Sequence, residues 1–152
     1  MEEEIRKNLI CGNYEKVDEL VKNMSISELR KLILDRICFN KEELSTYTYI
    51  QYRILNASSS ELYDLHMLAC GILIIYFTYV EGAYASGLYH AKKALELEPN
   101  NPDAIKVVLD FWDLPEGLHG ERLISKKYAK ELAQHLLEIE PESEWAKEIL
   151  DN

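Results

Sequence analysis

A chain of 152 residues, 47% apolar and 29% charged, has enough material for one packed domain, spanning 1–152, and lacks the compositional bias of disorder. Its 27 acidic side chains against 17 Lys and Arg give a net charge of −10, and residues 101–152 hold 12 acidic but only 6 basic side chains. Phosphate neutralisation needs clustered cations, so nucleic acid is excluded as the expected partner and a basic protein is favoured in its place.

The first residues, Met1-Glu2-Glu3-Glu4, are acidic where a secretory signal is basic and then apolar. The run 65–80 lacks Asp, Glu, Lys and Arg but contains His66 and is shorter than the ~20 apolar residues a spanning helix needs. A cytoplasmic protein without a membrane segment is the expectation. Cys11, Cys38 and Cys70 are odd in number, widely spaced and set in apolar surroundings, which suits buried, reduced thiols.

In chain order, 2–11 reads as a short helix ending at Gly12, and Gly12-Asn13-Tyr14 opens the next, whose apolar face is Val17, Leu20, Val21 and Met24. Ser25-x-x-Glu28 is a capping box ahead of Leu29, Leu32, Ile33 and Ile37. Asn40 is the expected cap of a helix over 41–55, and Ser58-x-x-Glu61 is a second capping box leading into Leu62, Leu65, Leu68, Ala69, Ile72 and Tyr76. Residues 72–80 are rich in β-branched and aromatic side chains that favour a strand. The helical period entering them, and the lack of anything for a lone strand to pair with, predict helix instead.

Over 82–104, small and apolar residues recur at steps of three and four: Tyr84, Gly87, Leu88, Ala91, Ala94 and Leu95. A helix stripe centred on Gly87, Ala91 and Ala94 has so little bulk that another helix can approach closely. Pro99 ends this helix, and Asn101-Pro102-Asp103 supplies an N-cap, a first-turn proline and an acid that complements the dipole. Six residues of this stretch recur 42 positions later, where Ala91, Leu95, Glu96, Glu98, Pro99 and Ala104 align with Ala133, Leu137, Glu138, Glu140, Pro141 and Ala146. A loop insertion is expected in Phe111–Gly120, which ends one helix and then holds Pro115, Gly117 and Gly120.

The series Gly82, Tyr84, Gly87, Ala91, Ala94 and Pro99 resembles the second helix and exit turn of a tetratricopeptide repeat. Ala91 departs from it, standing where the family has an aromatic residue, and the preceding helix carries Gly71, Ile74, Ile75 and Thr78 in place of Trp, Leu, Gly and Tyr. The resemblance implies an all-α, right-handed stack of antiparallel helical hairpins with eight to nine helices, spanning about 2–24, 26–56, 59–98 and 102–139 and closed by 142–150. It also implies an inner groove lined by the first helix of each hairpin, with Ile72, Tyr76 and Tyr79 as candidate binding residues.

No nucleotide-binding or nucleophile motif is present, so no cofactor and no enzymatic activity are expected. His66 and Cys70, four apart, could place an imidazole and a thiol on one helix face, and Asp110, Asp113, Glu116, His119 and Glu121 could gather around a loop. These are the residues of an alternative reading as a small enzyme or metal protein; core and surface roles are the expectation, with no metal. Eight of ten tyrosines lie within 47–89, a composition suited to contact surfaces. The expected function is a non-enzymatic protein-binding module, of an immunity or escort type, using the aromatic groove and an acidic docking surface of Glu138, Glu140 and Glu142. A homodimer subunit is the third alternative.

Overall fold

The computed structural model describes residues 1–39, 44–114 and 122–152. The expected cap at Asn40 and most of the acidic loop, including Glu116, His119 and Glu121, lie outside the described residues. Among those described, nine α-helices and no strand are present: α1 (Glu2–Ile10), α2 (Tyr14–Val21), α3 (Ile26–Lys31), α4 (Leu44–Asn56), α5 (Leu62–Tyr76), α6 (Ala83–Leu97), α7 (Pro102–Asp113), α8 (Lys126–Ile139) and α9 (Glu144–Asp151). The fold class is all-α, as the periodicities predict. Contacts divide the chain into two compact units, Met1–Gly87 and Leu88–Asn152.

The first unit packs α1 on α2 and α4, and α4 on α5. Its core joins Ile5 and Leu9 of α1, Val17 and Val21 of α2, Leu29 of α3, Ile50 of α4, and Leu65, Leu68 and Ile72 of α5. The capping box forms as predicted: Ser25 Oγ accepts from the Glu28 amide, and the Glu28 carboxylate accepts from the Ser25 amide at 2.7 Å. Gly12 and Gly82, each opening a Gly-x-Tyr sequence at the start of a helix, take positive φ, 71° and 83°. At Gly12 this lets the amides of Gly12 and Asn13 return to the carbonyls of Leu9 and Asn8, closing α1 before α2 begins.

Helix α3 continues directly into a π-helical segment, Leu32–Cys38. A π turn carries one more residue than an α turn, and its looser bonding leaves carbonyls that other groups can reach. Two neighbours do so here. Arg6 of α1 donates from Nη2 to the carbonyls of Arg36 and Ile37, both at 3.2 Å, and the Tyr76 hydroxyl of α5 donates to the Leu34 carbonyl. A guanidinium on carbonyls near a helix C-terminus also complements the helix dipole.

Three local expectations are corrected. The second capping box does not form: the Ser58 hydroxyl donates to the Glu61 carboxylate at 2.9 Å, the turn closes by Glu61 N–H to Ser58 O, and α5 starts only at Leu62. The helix expected to run through 72–80 stops at Tyr76; Phe77 turns back into the core and a turn occupies the residues up to Gly82. Cys11, expected to be buried, is exposed at the end of α1, whereas Cys38 and Cys70 are buried.

The second unit packs α7 on α8 and α8 on α9, and the internal copy at an offset of 42 is visible in its geometry. Ala91 and Ala133, and likewise Ala104 and Ala146, are fully buried. Asn101 caps α7 by accepting from the Asp103 amide, and its counterpart Ser143 caps α9 by accepting from the Ala146 amide. Before each cap the same turn forms, Asn101 N–H to Glu98 O and Ser143 N–H to Glu140 O, both at 3.1 Å. Four wholly buried alanines, Ala104 of α7, Ala129 and Ala133 of α8 and Ala146 of α9, keep these helices close, and Ala91 and Ala94 of α6 are buried as completely.

Candidate functional site

The groove residues do not share one environment. Ile72 is fully buried in the core of the first unit, so it supports the fold rather than a surface. Tyr76 is half-buried against that core with its hydroxyl tied to Leu34, and burial, then Cys38 and Asp35, push its phenol above the ordinary tyrosine value. Tyr79 lies past the end of α5, 66% exposed, with its ring 6.4 Å from that of Phe77. Ile75 and Val80 are exposed as well, which makes the end of α5 and its following turn an apolar surface.

The tyrosines that do gather are Tyr14 of α2 and Tyr49 and Tyr52 of α4, with ring centroids 5.7 to 6.4 Å apart. At that spacing the rings pack on one another and leave no room between them. Tyr49 is wholly buried, and its hydroxyl donates to Asp18 Oδ1 at 2.7 Å. Arg53 Nη1 donates to Tyr49 Oη at 3.2 Å, and its Nη2 reaches Glu61 Oε1 at 3.3 Å. Burial, and next the bond to Asp18, hold the Tyr49 phenol far above its usual range. The arrangement closes a polar network that ties α2, α4 and the entry of α5 together. Beside it lies an open cleft of about 420 Å³ lined by Gly12, Asn13, Tyr14, Glu15, Lys16 and Tyr52.

His66 and Cys70 both lie on α5 and both are buried. The remaining acids of the loop alternative, Asp110 and Asp113, stand three apart on α7, and partial desolvation, then the charge of Asp113, hold the Asp110 carboxyl above the ordinary carboxylate range.

The acidic residues of the second unit are not equivalent. Glu142 is 98% exposed and Glu138 stands exposed beside His135, whereas Glu140 is paired with Lys106 of α7 at 2.8 Å. All eight basic side chains of this unit have a partner inside it. Lys93, Lys106, Lys127 and Lys147 pair with Glu96, Glu140, Glu131 and Glu144. Lys126 and Lys130 donate to the carbonyls of Asn152 and Leu150 at the end of α9. Lys92 lies 5.3 Å from the ring centroid of Tyr128, and the Arg122 guanidinium 3.8 Å from that of Trp112. Composition supplies the charge excess, and the pairs of Lys93, Lys127 and Lys147 are at helical spacing, but Lys106–Glu140 and Lys92–Tyr128 span 34 and 36 residues and the sequence carries no signal for them.

Pro99, which ends the stripe helix, offers its carbonyl to His135 Nε2 at 3.0 Å, while Gly87, Ala91 and Ala94 are buried and Tyr84 is half-buried. No family model, curated protein or solved structure matches this chain.

Proposed function

We propose that this chain is a non-enzymatic binding protein for a basic protein partner, built on diverged tetratricopeptide-like hairpins and acting in the cytoplasm in an immunity or escort role. The observation that carries this reading is the electrostatic state of the second unit. Residues 88–152 hold 14 acidic and 8 basic side chains, and each of the eight cations is engaged internally. The surplus carboxylates remain at the surface to attract cations from outside, among them Glu138 beside His135 and Glu142, 98% exposed and 4.0 Å from Lys147. In the first unit, Ile75, Tyr79 and Val80 offer an apolar contact of the kind that anchors interfaces.

The test is capture from the source cell with the wild-type chain and with Glu138→Lys/Glu142→Lys, followed by identification and reconstituted binding. A basic protein that binds the wild type, loses affinity with salt and is lost from the reversed chain supports the reading. A specific partner that is neutral or acidic, and indifferent to the reversal, sinks it. A second reading, a homodimer through the exposed Ile75, Tyr79 and Val80, predicts a dimeric mass in solution that Tyr79→Glu converts to a monomeric one.

A further inference from the structure

The two tryptophans of the chain, Trp112 and Trp145, both lie in the second unit, and both are half-buried. The Trp145 indole N–H donates to Asp113 Oδ2 at 2.9 Å, which fixes α9 against the end of α7. On Trp112 lies the guanidinium of Arg122, its central carbon 3.8 Å from the ring centroid, with Nη1 donating to the Trp112 carbonyl at 3.2 Å. That distance is van der Waals contact between two flat groups, and the added hydrogen bond uses the fork that an ammonium lacks. Arg122 is exposed, so the contact is made at the surface.

We propose that the Trp112 face and carbonyl form a receptor for an arginine side chain of a basic protein partner, and that Arg122 is an internal stand-in that the partner's arginine displaces. The inference rests on the binding-module reading above and says where and through which chemistry the partner is held. Three observations support it. A guanidinium already sits there, so the site's chemistry is on display. The unit as a whole carries a surplus of carboxylates, Asp110 and Asp113 of the same helix among them, which favours an incoming cation. Burial first, and then the charge of Asp113, hold the Asp110 carboxyl above its ordinary range, and a cation arriving nearby would favour its ionised form. Displacement makes Arg122 a competitor: its removal must strengthen binding of an external arginine more than that of an external lysine, whereas the loss of one positive charge alone strengthens both alike.

The experiment uses the full chain and two probes of equal charge, tetra-arginine and tetra-lysine peptides, followed by the two indole N–H signals in a nitrogen–hydrogen correlation NMR spectrum. The expected result is a shift of the Trp112 signal with tetra-arginine, a weaker one with tetra-lysine, and an affinity for tetra-arginine raised about two- to five-fold by Arg122→Ala, the worth of an exposed cation–π contact. Trp112→Leu, checked for folding by circular dichroism, should abolish the preference for arginine. An unchanged tetra-arginine affinity in Arg122→Ala, a gain shared equally by tetra-lysine, or equal binding of both peptides to the wild type overturns the receptor. Salt-sensitive binding of both peptides that survives Trp112→Leu overturns it too, but leaves an acidic binding surface standing. If neither peptide binds at low salt, the receptor and the binding-module reading fail together.

Discussion

Arg6 is the residue whose truncation the first unit should feel most sharply for its size, because its guanidinium holds two carbonyls of another helix, those of Arg36 and Ile37. Arg6→Ala is expected to lower stability by ~1–2 kcal/mol in urea unfolding, and Arg6→Lys, which keeps the charge but loses the fork, by less. Equal stability of all three chains would show that the carbonyls are satisfied without it. At Glu28 the readout is pH. Its carboxylate accepts from the amide and then the hydroxyl of Ser25, which lowers its folded pKa. A lowered folded pKa means that the contribution is present above the ordinary carboxylate value of ~4.3 and is lost as pH falls through the folded value. Glu28→Gln should therefore flatten the acid limb of the thermal-midpoint profile, and its profile should converge on the wild type's below that limb. The two cases differ in what sequence could reveal. Ser25 and Glu28 are three apart and their spacing names their bond, whereas Arg6 acts on carbonyls 30 and 31 residues away in a segment whose π geometry has no residue signature in Leu32–Cys38.

Helices were legible where a period of three to four residues coincided with a local stop or start signal. Thus α7 begins at Pro102 behind its Asn101 cap, and α3 behind Ser25. They depart from the sequence pattern where the same local residues have a second option. Ser58 bonds the Glu61 side chain instead of capping, and Phe77 leaves the helical path because burying its ring in the core outweighs another turn of helix. The small-residue stripe gave the clearest signal because alanine at a helix contact has no alternative reading in packing terms. Ala91 and its copy Ala133 are both fully buried, so Ala91→Leu and Ala133→Leu should each overpack a contact at a cost of ~1–3 kcal/mol. Matched losses in the two variants are the expected outcome by calorimetry, with helical circular dichroism retained. A cost at one position and none at the other would mean that the copies have diverged in packing as well as in sequence. The candidate groove was less legible for the same reason that the stripe was clear. A tyrosine serves core and surface equally well, so spacing alone could not separate the tethered Tyr76 from the exposed Tyr79.

For the molecule as a whole, a net charge of −10 on 152 residues is a choice between stability and attraction. Like charges repel within a compact chain, so reversing an exposed, weakly paired carboxylate should leave stability level or raise it, while reversing a paired one should lower it. The second unit supplies both kinds within five residues. Glu138 and Glu142 are exposed, but Glu140 is bound to Lys106, and a lysine there would face another lysine. Glu138→Lys/Glu142→Lys should therefore keep or raise the thermal midpoint, and Glu140→Lys should lower it. If the surplus acids also steer a basic partner, the double reversal should slow association with that partner and leave its dissociation nearly unchanged. The wild-type association rate should fall as salt shortens the field to ~8 Å at physiological strength. Stopped-flow mixing at two salt concentrations, with calorimetry on the same variants, separates the cases. A double reversal that destabilises the fold gives the acids a structural role, one that is neutral to both stability and association leaves them to solubility, and one that is stable but slow to associate makes them a docking field.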